Sequence, residues 1–350
     1  MTDLLEELLA GKHRALARVI TKIENRQPGY RDLVSALHGH TGDADVIGVT
    51  GSPGAGKSTL VDKLAATYRD QGLTVGVIAI DPSSPFSGGA VLGDRIRMAS
   101  NIGDMDVFFR SMSARGSLGG LSTATADAVK ALDAFGKDKI LVETVGAGQN
   151  EVDIVKTADT VMVLVPPGSG DDVQMLKAGI LEIADIFVVN KADLDGANRT
   201  VQELREMLDY RAGGVPGTGG HHGAAAMDEV RSGGSTAGAE LEMEVWNPQI
   251  VETVAASGDG IDELLAVLDD HATHLDETGV RTQLARTRYA QEIQTLLRED
   301  VHELLTEEVD DRGGLDQYVE AVVEREADPY SVADELIEPL ARCVRDRREQ

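Results

Sequence analysis

The chain has 350 residues, with 33 Lys and Arg against 60 Asp and Glu, a formal charge of −27. That balance excludes a general nucleic-acid binder, which needs a basic face for phosphates, and electrostatic docking on an anionic membrane. Apolar residues make up 42%, enough for a sizeable core, so wholesale disorder is excluded as well.

The opening stretch, MTDLLEELLAGKHRALARVI, mixes acids with apolar residues and has no positively led apolar run, so it does not read as a signal peptide. Leu4, Leu5, Leu8 and Leu9, then Leu16, Val19, Ile20 and Ile23, recur at three- and four-residue spacing. This predicts helix through the first 38 residues, within an N-terminal helical segment of residues 1–42. A repeated unit follows: a short β-branched run, a loop, then a helical pattern. The runs are Val46–Thr50, Val75–Ile80, Val107–Phe109, Ile140–Glu143, Val161–Val165, Ile186–Asn190 and Ile250–Val254. Nearly continuous apolar runs mean strands buried on both faces, hence a mainly parallel, doubly wound α/β domain over residues 43–275.

Residues 211–240 interrupt the pattern: they are rich in Gly, Ala and Ser with no periodic apolar face, and read as a flexible surface insertion. His221 and His222 lie inside it, but no other plausible ligands cluster nearby to make a metal site. From Ile261 onward the pattern is helical and heavily charged, and residues 276–350 read as a C-terminal helical extension. Its apolar positions Leu284, Tyr289, Ile293, Leu296 and Leu297 exceed what one sheet domain covers, which predicts a homodimer. No stretch approaches 18 uninterrupted apolar residues, so no transmembrane helix is expected and the default location is cytoplasmic. Only 10 of the 33 cations are Lys; a Lys-poor, acid-rich surface suits solubility at high salt, so a halophilic source is expected. The single cysteine, Cys343, excludes an internal disulfide and any Cys-based zinc cluster.

The strongest chemical signal is Gly51-Ser52-Pro53-Gly54-Ala55-Gly56-Lys57-Ser58, followed by Thr59, which fits G-x-x-x-x-G-K-[ST] between a buried strand and a helical segment. Glycines let backbone N–H groups curl around phosphate oxygens, and the helix N-terminus adds a favourable dipole. Lys57 is then expected at the β- and γ-phosphates and the Ser58 hydroxyl on Mg²⁺. The second signal, Asn190-Lys191-Ala192-Asp193, follows the strand IFVVN and matches the guanine-reading N-K-x-D element of GTPases. A carboxylate at Asp193 can accept from guanine N1–H and its N2 amino group, a donor pair that adenine does not offer. Val254-Ala255-Ala256 ends another strand, where GTPases place backbone N–H groups near guanine O6, although the usual Ser-Ala is absent. Between these lie Asp81, Asp94 and Glu143 as Mg²⁺ candidates; for each, the alternative is a helix cap or a solvated loop charge. Gln149 stands three residues beyond Gly146, and its role is open.

Together these residues resemble the methylmalonyl-CoA mutase-associated GTPases, the MeaB/ArgK family of P-loop metallochaperones. The likeness rests on GSPGAGKST, DPSSPFSGGAVLGDRIRM, FFRSMSARGSLGGL, ETVGAGQNEV, and PPGSGDDVQMLKAGI leading into NKAD. It runs to about residue 210 and resumes over Trp246–Leu265. The resemblance implies slow GTP hydrolysis and binding to a cobalamin-dependent acyl-CoA mutase, whose adenosylcobalamin loading the family gates and whose damaged cofactor it helps remove. It further implies that Gly51 to Thr59 bind phosphate, that Asp193 reads guanine, and that Ser58, Asp81, Asp94 and Glu143 surround Mg²⁺, with Lys57, Asp94 and Glu143 serving hydrolysis. The segment Gly168–Lys177 matches a partner-sensing switch, and Arg110 and Arg115 fall in the family's RSM-x-x-RG string, with surface salt bridging as their alternative. Three other readings stand beside this one. An accessory ATPase or kinase of basic amino-acid transport is disfavoured by NKAD, and a nickel chaperone by the lack of a His/Cys cluster. The last keeps nucleotide binding with vestigial hydrolysis.

Overall fold

Side chains alternate across a strand, so a run buried on both faces must supply two separate cores. All seven β-branched runs form strands in the computed structural model, and the five central ones are buried on both faces while the two edge runs are only partly so; the structure describes residues 2–81, 104–113, 120–144, 154, 157–168, 180–212 and 246–348. They form β1 (Asp45–Gly51), β2 (Val75–Asp81), β3 (Val107–Ser113), β4 (Lys139–Thr144), β5 (Thr160–Val165), β6 (Ile186–Asn190) and β7 (Gln249–Thr253). Every pairing is parallel, in the order β3-β2-β4-β1-β5-β6-β7.

Between and around the strands lie α1 (Thr2–Leu9), α2 (His13–Glu24), α3 (Tyr30–Leu37), α4 (Lys57–Asp70), α5 (Gly120–Ala134), α6 (Ile180–Ile183), α7 (Ala197–Ala212), α8 (Ile261–Glu277), α9 (Val280–Asp311), α10 (Asp316–Val323) and α11 (Pro329–Arg348). One face of the sheet, carrying Val46, Ile78, Val142, Val163 and Phe187, packs under α1, α2, α3, α5 and α7. The other, carrying Val49, Val77, Leu141, Leu164 and Val188, packs under α4 and α8. The expected N-terminal helical segment consists of three helices. The chain turns at Gly11 and again at Pro28-Gly29, where both glycines take positive φ (75° and 74°) that other residues resist. The breaks let Leu8, Leu16, Ile20 and Leu33 all reach the same core.

Arg211 and Ala212 continue α7, so the interruption starts later than expected; the rest of residues 211–240, with His221 and His222, lies outside the described residues. The chain divides into two compact units, Met1–Arg288 and Tyr289–Gln350. In the first, Asp159 accepts from the backbone of Val46 and pairs with Arg281 and Arg288, which fixes the start of α9 at the base of β1 and β5. In the second, α9 carries a line of exposed apolar side chains from Tyr289 to Leu304. Among the described residues, no helix is long and apolar enough to cross a membrane.

Candidate nucleotide-binding site

A fully parallel sheet brings the C-terminal ends of its strands to one edge, where open α/β sheets hold ligands. Gly51, Thr144, Val165, Asn190 and Thr253 end their strands there. Gly51 has φ 133°, and a Cβ at that position would stand 2.2 Å from the Leu164 carbonyl oxygen, so only glycine lets β1 leave the sheet here. The loop turns once, with the Ala55 N–H donating to the Ser52 carbonyl at 3.2 Å, before α4 begins at Lys57. The backbone N–H groups of Gly54, Gly56, Ser58 and Thr59 donate to no group among the described residues. Orphan donors at the start of a 14-residue helix form the cradle that phosphate oxygens require.

Lys57 is buried, and its ammonium donates to the carbonyls of Gly51 (2.6 Å) and Ser52 (3.0 Å) across the loop. Beside it, the Ser58 hydroxyl donates to the Glu143 carboxylate at 2.5 Å, a short charge-assisted bond. Glu143 is 2% exposed at the end of β4. A hydroxyl and a carboxylate in contact form an oxygen-only donor pair suited to a hard divalent cation. Asp81 closes β2, but its side chain, like all of Asp94, lies outside the described residues. Among the described residues, no three acidic, His or Cys side chains gather as a metal cluster.

The N-K-x-D element divides its labour. The Asn190 amide donates to the Ala55 carbonyl at 2.7 Å, while its Oδ1 accepts from the Thr253 hydroxyl and the Ala255 N–H, each at 3.1 Å. Lys191, held at φ 63°, donates to the Gly54 carbonyl at 2.8 Å. Ala192 donates its N–H to the Thr253 carbonyl at 3.0 Å. These contacts leave Asp193 exposed, its carboxylate bonded to none of the described residues. In Val254-Ala255-Ala256, the Val254 N–H goes to the Asp259 carbonyl and the Ala255 N–H to Asn190. Only the Ala256 N–H remains without an acceptor among the described residues, which narrows the expected three donors to one.

Arg110 takes its salt-bridging alternative: it donates to Glu24 of α2 at 2.5 Å and lies away from the loop edge. Arg115, Gln149 and the segment 169–177 lie outside the described residues; Gly168, described, donates its N–H to Thr200. Two features went unread in the sequence, the threefold role of Asn190 and a buried hydroxyl pair between Thr50 and Thr144. Their partners stand 63 to 135 residues apart, so no local spacing signals them.

Known proteins share both the sequence and the fold. A family model described as methylmalonyl-CoA mutase-associated GTPase MeaB matches residues 16–310. A Pyrococcus abyssi protein bearing a GTPase name is 46% identical over 97% of this chain and 96% of its own length. The GTPase ArgK of Escherichia coli is 32% identical over 87% of this chain and 85% of its own. A mouse mitochondrial protein named methylmalonic aciduria type A homolog is 30% identical over 85% of this chain and 69% of its own. A crystal structure described as an LAO/AO transport system kinase matches with a TM-score of 0.61 and 25% identity, covering 97% of both chains.

Proposed function

This chain belongs to the MeaB family of methylmalonyl-CoA mutase-associated GTPases, and from that premise we propose that its GTP turnover serves a cobalamin-dependent mutase. The partner proposed is methylmalonyl-CoA mutase, with the GTPase gating adenosylcobalamin loading and helping to remove damaged cofactor. The observation that carries the reading is the family match across residues 16–310, which spans the phosphate loop, Glu143 and the N-K-x-D element together.

In this reading the orphan N–H groups of Gly54, Gly56, Ser58 and Thr59 bind phosphate oxygens, and the Lys57 ammonium exchanges its loop carbonyls for them. Ser58 and Glu143 hold Mg²⁺, with Asp81 and Asp94 proposed alongside. The cation, when bound, offsets charge on the β- and γ-phosphates. Asp193 and the Ala256 N–H face the base, and Asn190 and Lys191 keep that pair in register with the phosphate loop. The likeness to a protein described as a transport system kinase raises a second reading, an accessory ATPase of basic amino-acid transport. The unbonded Asp193 carboxylate favours guanine over adenine, because ATP would leave it without its two donors. A homodimer through the apolar stripe of α9 completes the proposal.

The test is GTP turnover while a cobalamin-dependent mutase from the same organism is titrated in, with an unrelated acidic protein as control. A partner that prefers the hydrolysis-competent state shifts its population, and each 1.4 kcal/mol of differential binding gives roughly tenfold. Linkage then requires unequal mutase affinities in the GTP-analogue and GDP states. A flat titration with equal affinities would remove the chaperone reading.

A further inference from the structure

We infer that Thr50 and Thr144 form a hydroxyl clasp that positions Glu143 against the phosphate loop. The Thr144 Oγ1 donates to the Thr50 Oγ1 at 2.9 Å, with Thr50 fully buried and Thr144 2% exposed. The inference rests on the reading that Glu143 serves the cation beside the phosphates.

The pair stands where β1 and β4 lose their direct backbone hold on each other, while β4 stays in register with β2 through Ala79↔Glu143 and Ile80↔Thr144. The β1–β4 ladder runs from Asp45↔Lys139 to Val49↔Glu143 and goes no further. Beyond that point β1 continues only with β5, as Thr50↔Val163 and Gly51↔Leu164. The hydroxyl bond therefore ties β1 to β4 one residue past the ladder, next to Gly51 on one strand and Glu143 on the other. Side-chain alternation shows how it acts. Leu141 and Glu143 face α4, which carries Ser58, whereas Val142 and Thr144 face the opposite core. The clasp thus touches neither Ser58 nor Lys57 and acts through the backbone of residues 143 and 144, which makes both threonines positioning residues.

The polar pair also sits where apolar packing would suffice. Val142 and Val163 belong to the core on this face, and valine is β-branched as threonine is. A buried hydroxyl pair adds little net stability, but it fixes a distance and direction that two valines would not. That direction matters because Glu143 meets Ser58 at 2.5 Å, and metal sites respond strongly to the groups that orient their ligands.

The experiment measures the affinity of a fluorescent, non-hydrolysable GTP analogue with and without Mg²⁺ and takes the ratio as the metal-dependent gain. Glu143→Gln serves as the reference and should abolish most of that gain. Thr144→Val is expected to cut it about tenfold while leaving metal-free affinity unchanged within about twofold. Thr144→Ser, which keeps the hydroxyl, should restore it. Thr50→Val should match Thr144→Val, and the double valine variant should be no worse than either, since all three break one bond. The double variant leaves no unpaired hydroxyl and so carries the test if a single variant fails to fold. A wild-type gain in Thr144→Val or in the double variant, with Glu143→Gln impaired, overturns the clasp. Equal loss in Thr144→Ser and Thr144→Val overturns it too, because retaining the hydroxyl would then fail to preserve the gain. A wild-type gain in Glu143→Gln overturns the underlying cation reading instead.

Discussion

The side-chain amide of Asn190 donates to the backbone carbonyl of Ala55 across 2.7 Å, and joins the end of β6 to the loop that follows β1. Because its Oδ1 also takes the Thr253 hydroxyl and the Ala255 N–H, one buried residue sets three pieces of chain in mutual register. Asn190→Ala removes all three bonds and leaves buried polar groups unsatisfied, at a cost of about 1–3 kcal/mol for each group left unpaired. Thermal unfolding should show that loss. GTP and ATP affinity should fall by the same factor, because Asn190 fixes the loop and touches no base-specific group. A loss confined to GTP would contradict the role.

Asp193 is the converse case. It is exposed and bonded to none of the described residues, so Asp193→Asn should leave the melting temperature nearly unchanged. The amide keeps one acceptor and gains a repelling donor pair, so the preference for GDP over ADP should shrink by at least tenfold. Competition binding with both nucleotides measures it. An unmodified protein that binds ATP as well as GTP would sink the guanine assignment.

Lys57 has its ammonium on the carbonyls of Gly51 and Ser52. Lys57→Ala removes the cation proposed for the γ-phosphate and should abolish turnover and reduce GTP affinity more than GDP affinity. Glu143→Gln should slow Mg²⁺-dependent hydrolysis more than it weakens GDP binding. Unchanged hydrolysis in that variant would make Glu143 structural.

The sheet was legible because its signal is local. Each apolar run of four to six residues landed on a strand, and errors occurred where a polar residue broke the run. The expected strand Val107–Phe109 continues to Ser113, because Arg110 stays in the ladder by pairing with Glu24 of α2. The helical character of the first 38 residues was legible in their apolar spacing, and the breaks between the three helices fall at Gly11 and Pro28-Gly29. The phosphate loop was legible for the same local reason. Asn190 was legible only as part of a motif. Its contacts to Ala55 and Thr253 depend on β6 lying between β5 and β7, a placement set by the whole sheet.

Asp133, near the end of α5, accepts from the backbone N–H groups of Gly42, Asp43 and Ala44 and so fixes the entry to β1. Burial pushes its carboxyl up, and the three donors only partly oppose this. A carboxyl raised on folding binds its proton more tightly in the native state. Its contribution is therefore complete below the ordinary carboxylate range and is lost as pH rises through the raised value. Asp133→Asn removes that titration. Denaturant unfolding across the carboxylate range should show the variant losing least, relative to wild type, at the upper end. A stability difference that does not vary with pH would refute the sign.

Tyr289, Ile293, Leu297, Val301 and Leu304 are 42, 57, 59, 40 and 57% exposed at spacings of four, four, four and three. They share one helical face for about 22 Å at 1.5 Å per residue, and α9 has no buried residue along its length. Under the proposed homodimer, a second copy would cover this line with its own by two-fold symmetry. Each copy brings a formal charge of −27, so association works against like-charge repulsion that salt screens. The dimer should accordingly tighten as salt rises. Ile293→Asp with Leu297→Asp places two further carboxylates in the seam and should yield single chains at every salt concentration, with GTP affinity unchanged because the phosphate loop is untouched. Sedimentation velocity at micromolar protein reads both effects. An unmodified chain that sediments alone at high salt would refute the dimer and leave the stripe to a different partner.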